Sequence, residues 1–182
     1  MAFEDLAWVA GKQNMGGLIS DVHFVPLDDV DVSAPPALDA DGVTITGDIT
    51  LLAAKKWISI YHTRGTGKID GNPVGERDGK SFENMIEFNF PGGEKKVVAH
   101  NKQVLNTPGL YIGKDTDGNY RILGLAVING VVTFDMPAYT ESITSTTGAA
   151  SADKRGTTYQ AKAEAPHEAL FYEGAIDLDD TP

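Results

Sequence analysis

The chain contains no cysteine, so disulfides, cysteine-held zinc and thiol nucleophiles are all excluded. It also lacks any run approaching the ~20 apolar residues that a membrane-spanning helix needs. Bases are scarce. Lysine and arginine total 15 against 26 aspartates and glutamates, for a formal net charge of −11 and a pI of about 4.6. Such a surface repels phosphate backbones, which disfavours general nucleic-acid binding. The opening MAFEDLAWVAG carries acids where a secretory signal needs positive charge, which predicts that it is not one. What is present is a globular composition, 41% hydrophobic and 23% charged over 182 residues. That is one domain's length, enough to bury a core without staples.

The charge is segregated along the chain. Residues 1–54 hold nine acids and one base, Lys12. Residues 55–121 hold eleven bases and eight acids, and residues 122–182 nine acids and three bases. Asp28, Asp29, Asp31, Asp39, Asp41 and Asp48 share a stretch without any base. The simplest reading is a solvated acidic loop. The sharper one is self-complementarity, with a basic middle meeting the acidic flank of the next copy. In that reading Arg64, Lys68, Arg77 and Lys80 face Asp28, Asp29 or Asp31 of a neighbour.

Periodicity predicts a mainly β chain. Residues 1–16 read as an N-terminal arm, 17–176 as the folded domain and 177–182 as an acidic tail. Leu18–Leu27 suits a strand interrupted near Pro26, and Val30–Gly42 is a connection rich in Asp, Pro and Ala. Apolar and polar residues alternate from Val43 to Thr50. Trp57–Thr63 and Phe82–Phe90 are rich in aromatic and β-branched residues. Two hairpins are predicted around Lys114–Asn119 and Asn129-Gly130. Thr140–Thr147 and Thr157–Ala163 close the strand list. One segment differs. Glu94–Leu105 places Val97, Val98, Asn101, Val104 and Leu105 at helical spacing and predicts the one helix, about 94–105. Arg64–Lys80, with five glycines and four bases, reads as a long hairpin loop without a core of its own. The expected fold is therefore a β-sandwich or barrel of about seven to nine strands with one covering helix.

Chemistry is hard to find. Gly75–Ser81 resembles a phosphate loop but has three residues where four are required, and a strand pattern follows. Asp115–Asn119 offers oxygens at alternate positions, yet the glutamate due at the twelfth place is Ala126, so a turn is expected. His23, His62, His100 and His167 are scattered and read as structural. Glu83 and Glu87 would lie ~13 Å apart on one strand face, too far for most glycosidase pairs. No Gly-x-Ser-x-Gly turn occurs. Trp57 and Tyr61 would share a strand face, as a stacking platform or as core. No catalytic, cofactor or metal residue is expected, and the chain is not expected to be an enzyme.

The layout resembles the tail tube (major tail) proteins of long-tailed bacteriophages. The matching parts are Trp57–Lys80 as the long hairpin, Ser81–Phe90 as the next strand, Glu94–Leu105 as the helix and Gly156–Ala163 as a late strand. The strings Phe82–Phe90, Pro91, Leu110–Ile112, Gly118, Leu123-Gly124 and Ala152–Gly156 are similar to virion proteins of such phages. The similarity runs from about residue 17 to 176.

The resemblance implies a subunit that forms hexameric rings, stacked into a hollow tube that conducts the genome. It implies identical subunits and other tail or connector proteins as partners, and DNA passing without specific binding. It implies the virion as location, with assembly in the host cytoplasm and no membrane. The segment Arg64–Lys80 would reach an adjacent subunit. Val30–Gly42 is longer than a tube subunit needs, which would suit the outside. Alternatives in the same class are head–tail joining, terminator and decoration proteins. An alternative outside it is a carbohydrate-binding module using Trp57, Tyr61 and Trp8.

Overall fold

A computed structural model describes residues 5–11, 14–19 and 21–178. In chain order its elements are β1 (Val22–Pro26), β2 (Thr44–Ile45), β3 (Ile58–Ile60), β4 (Lys68–Val74), β5 (Ser81–Pro91), α1 (Lys95–Val104), β6 (Gly109–Lys114), β7 (Tyr120–Leu123), β8 (Ala126–Ile128), β9 (Val131–Thr133), β10 (Tyr139–Thr146), β11 (Gly156–Ala165) and β12 (Leu170–Tyr172). The protein is mainly β with a single helix among the described residues, as expected. Its twelve strands exceed the expected seven to nine because several are only two or three residues long.

The main sheet has six strands in the order β2-β12-β7-β6-β1-β3. The second sheet has four, β10-β11-β5-β4, and β8-β9 is a separate hairpin. Alternation along β5 and β11 builds the contact between the sheets. Ile86 and Phe88 on β5, and Tyr159, Ala161 and Ala163 on β11, point inward against Val22, Phe24, Ile60, Tyr111 and Leu123 of the main sheet. The Phe88 and Tyr159 rings stack at 5.2 Å. These pairs form a sandwich core.

The main sheet is covered on its other face too. Val25, Leu110, Ile112, Ile122 and Tyr172 meet Val30, Ile45, Ile49, Trp57, Leu125, Val132 and Phe134. Those partners come from the 30–57 connection and from the β8-β9 region. Double burial explains why β6 reads as an unbroken apolar run, Leu-Tyr-Ile, in the sequence.

The turns follow their chemistry. Asn129 (φ 52°) and Gly130 (φ 78°) take the left-handed pair that joins β8 to β9. Asp115 accepts hydrogen bonds from the amides of Asp117 (3.0 Å) and Asn119 (2.9 Å), closing the β6-β7 turn. Asp153 does the same for Ala149 and Ala150 between β10 and β11.

Four expectations are corrected in detail. The alternating stretch Val43–Thr50 yields only Thr44–Ile45 as strand. A side chain at Gly47 would sit 2.5 Å from the Ala37 amide nitrogen, so the backbone folds against its own connection there instead of extending. Within Arg64–Lys80, Lys68–Val74 is strand, paired with β5 from Lys68↔Glu87 to Val74↔Ser81, and only the ends are turns. The helix buries Val97 and Val104, while Val98 and Leu105 of the expected face are exposed. Trp57 is 1% exposed and Tyr61 55% exposed, so the two do not form a platform. The short β3 loses its alternation at Ile58, which is why spacing alone misplaced them.

The helix closes one opening of the sandwich. Tyr159 Oη donates to Asn101 Oδ1, Thr140 Oγ1 donates to the Val104 carbonyl (3.1 Å), and the His100 ring meets Tyr159 edge-on at 5.8 Å.

Candidate functional site

The second sheet turns a polar face outward. Its β5 contributes Glu83, Glu87 and Asn89, its β11 Thr158, Gln160 and Lys162, and its β4 Lys68 and Asp70. Register joins them into a ladder. Gln160 donates to Glu87 (2.7 Å) and accepts from Ser142 (2.9 Å). Asn89 donates to Thr158 at 3.0 Å. Lys162 lies 3.4 Å from Glu83 and 3.6 Å from Glu141. Lys68 lies 2.8 Å from Asp70 and 3.8 Å from Glu87. Hydrogen bonding to Asp70 and its charge hold the Lys68 ammonium above its ordinary pKa. Asp70, Glu83, Glu87 and Glu141 each have a cation within 4.0 Å. Glu83 and Glu87 therefore do not confront one another as an acid and base pair would.

Both margins of the second sheet are open among the described residues. At one margin β4 has only β5 beside it; at the other β10 has only β11. Open margins present unpaired amides and carbonyls that another strand can satisfy. Pro73 removes a donor near the end of β4, and a bulge at Glu141 interrupts β10. The regular lengths left for pairing are Lys68–Asn72 and Ser142–Thr146.

The charged residues expected at an interface fall into separate places. Arg64 sits in the turn before β4, Lys68 opens β4, and Arg77 and Lys80 occupy the β4-β5 turn. Asp28 and Asp29 lie in a 3-10 turn, Leu27–Asp29, on the layer that covers the opposite face of the main sheet. Asp29 pairs with Lys55 at 2.7 Å. Asp31 accepts from the Ser33 amide (3.0 Å) and hydroxyl (2.6 Å). Among the described residues Arg64, Arg77 and Lys80 have no carboxylate within 4.0 Å. These cations and the acidic segment do not meet among the described residues of one chain.

No protein-family model matches the chain, and no curated protein or solved structure matches it either.

The remaining geometry offers little chemistry. Among the described residues no three His, Asp or Glu side chains converge to hold a metal ion. His23 is buried on β1, and burial lowers its pKa against an opposing pull from Asp21. His100 is lowered by burial as well. Burial pushes the Tyr111 and Tyr159 hydroxyls up to about 12, far from a working proton donor at neutral pH. The outward ladder was only half legible in the sequence. Alternation placed Glu83 and Glu87 on one strand face, but their partners depend on the β5-β11 and β4-β5 registers.

Proposed function

We propose that this chain is a structural subunit that assembles with identical copies into rings, and that the rings stack into a phage tail tube. The observation that carries the reading is the second sheet, which is open at two unlike margins and polar on its free face. Pairing β4 of one copy with β10 of the next is a heterologous contact, and heterologous contacts close into rings when the rotation allows. The outward ladder then lines the bore. Its carboxylates Asp70, Glu83, Glu87, Glu141 and Glu164 outnumber Lys68 and Lys162, which keeps a passing polyanion from adhering. The hexameric ring number, the virion location, assembly in the host cytoplasm and the other tail proteins as partners come with the resemblance, and the reading as a non-enzyme comes from the missing motifs. The charged β4-β5 turn supplies Arg77 and Lys80 to an acidic neighbour.

Negative-stain electron microscopy of the purified protein tests this. Rings or tubes at high protein concentration are the expected result. Particles that stay monomeric across the accessible concentration range overturn it.

A further inference from the structure

The N-terminal arm carries apolar surface that its own domain does not cover. Leu6, Trp8 and Val9 are 100%, 68% and 65% exposed, and every described residue from Asp5 to Gly11 is exposed. The arm is nonetheless rooted. The Met15 carbonyl accepts the Thr116 hydroxyl, Leu18 N–H donates to the Gly67 carbonyl (2.9 Å), and Ile19 N–H to the Lys114 carbonyl (3.0 Å). Leu18 itself is buried in the sandwich core. The chain is thus held at residues 15–19 and presents Leu6 and Trp8 beyond that anchor. Exposed tryptophan and leucine so close together mark a contact surface better than a solvated tail.

The same molecule carries a groove lined in part by aliphatic and aromatic side chains. The groove, of about 570 Å3, runs between β3 and α1 and is lined by Ile58, Tyr61, Phe90, Val97, His100 and Tyr159. Ile58 and Tyr61 are left largely exposed. The groove borders β3, which ends the main sheet; just before it Trp57 N–H is taken by the Asp177 carbonyl (2.9 Å), and among the described residues no strand lies outside Ile58–Ile60. Asp21, Glu94 and Lys96 form the rim. An extended segment laid along β3 would satisfy its free amides and carbonyls. Leu6 and Trp8 are two apart, so an extended arm turns both to one face, here into the groove. None of the described arm residues lines the groove in its own chain.

We propose that the arm of one copy docks as an added strand on β3 of a second copy, with Leu6 and Trp8 filling the groove against α1. The proposal needs copies to meet, as the self-assembly reading does, but it does not need them to close into rings.

The absence of cysteine makes the test direct, because each introduced thiol is the only one in its chain. Full-length Ala7→Cys and full-length Ser59→Cys proteins are mixed and treated with a short bismaleimide. Both substitutions fall at exposed positions. A covalent heterodimer is expected, at several times the yield from either protein alone. Adding Trp8→Ala to the first protein, or Ile58→Asp to the second, should cut that yield at least fivefold, with circular dichroism confirming that each variant is folded. No heterodimer from the mixture overturns the proposal. So does an Ala7→Cys/Ser59→Cys double variant that cross-links only within one chain at every dilution, which would mean that the arm folds back on its own groove. Rings without the cross-link sink this docking and leave the tube reading standing. Cross-linked chains without rings do the reverse.

Discussion

Gly124 illustrates how tightly single residues are held. It takes φ +98°, and a side chain there would meet the Gly109 carbonyl and approach the Ala138 amide to 3.0 Å. Gly109 in turn sits against the Phe24 ring. Both strain and overlap oppose Gly124→Ala, which should destabilise by about 1–3 kcal/mol in urea unfolding. Gly79→Ala meets nothing within 4 Å and should shift stability by less than about 0.5 kcal/mol. Two histidines whose pKa burial lowers give a pH dependence. His23 and His100 have pKa values lowered from 6.5, so both stay neutral in the fold while the unfolded chain protonates them. Their contribution is complete above pH 6.5 and is lost as pH falls toward the folded values. The Tm should therefore drop between pH 7 and pH 5, and His100→Gln should flatten that slope in differential scanning fluorimetry.

The elements divide according to what stabilises them. Hairpins β6-β7 and β8-β9 follow from local turn chemistry, and their positions were readable from Lys114–Asn119 and Asn129-Gly130; that β10 and β11 also form a hairpin, closed by Asp153, came with the structure. The helix was readable from its spacing, but its buried face was not. Val97 and Val104 pack inward because α1 lies against Phe24, Tyr159 and β10; Val98, 64% exposed, points away. Val97→Ala or Val104→Ala should each cost about 2 kcal/mol, and Val98→Ala less than about 0.5, by chemical denaturation. The strand β2 shows the opposite case. Eight residues alternated well enough to predict a strand, but only Thr44 and Ile45 become one, beside β12, while Thr46 and Thr50 bond to the Ala37 and Asp31 backbone of the connection.

At the scale of the molecule, charge segregation acquires a geometry. Arg77 and Lys80, which share the β4-β5 turn with Glu76 and Asp78, belong to the second sheet and Asp28–Asp31 to the layer beyond the main sheet, so these cations can reach those acids only between copies. Arg77→Glu should slow or abolish ring formation while leaving the urea midpoint unchanged, because Arg77 is exposed and has no carboxylate partner among the described residues. Light scattering during assembly, repeated at raised salt, measures both effects, since screening should weaken the wild type in the same direction. Unaltered assembly by the variant would take this turn out of the interface.

The sequence by itself determined the β-rich class, the hairpin turns, the helix and the exclusion of cysteine chemistry, because each depends on residues near one another or on residues that are missing. Only the tertiary structure decided that the main sheet is buried on both faces, that Trp57 is core, that Lys68, Glu87, Gln160 and Lys162 form one ladder, and that β3, β4 and β10 end their sheets. Those outcomes rest on pairings between distant segments, such as β5 with β11 and β2 with β12. A strand's own letters state which side is apolar. They do not state which neighbour arrives, in what register, or whether any arrives at all.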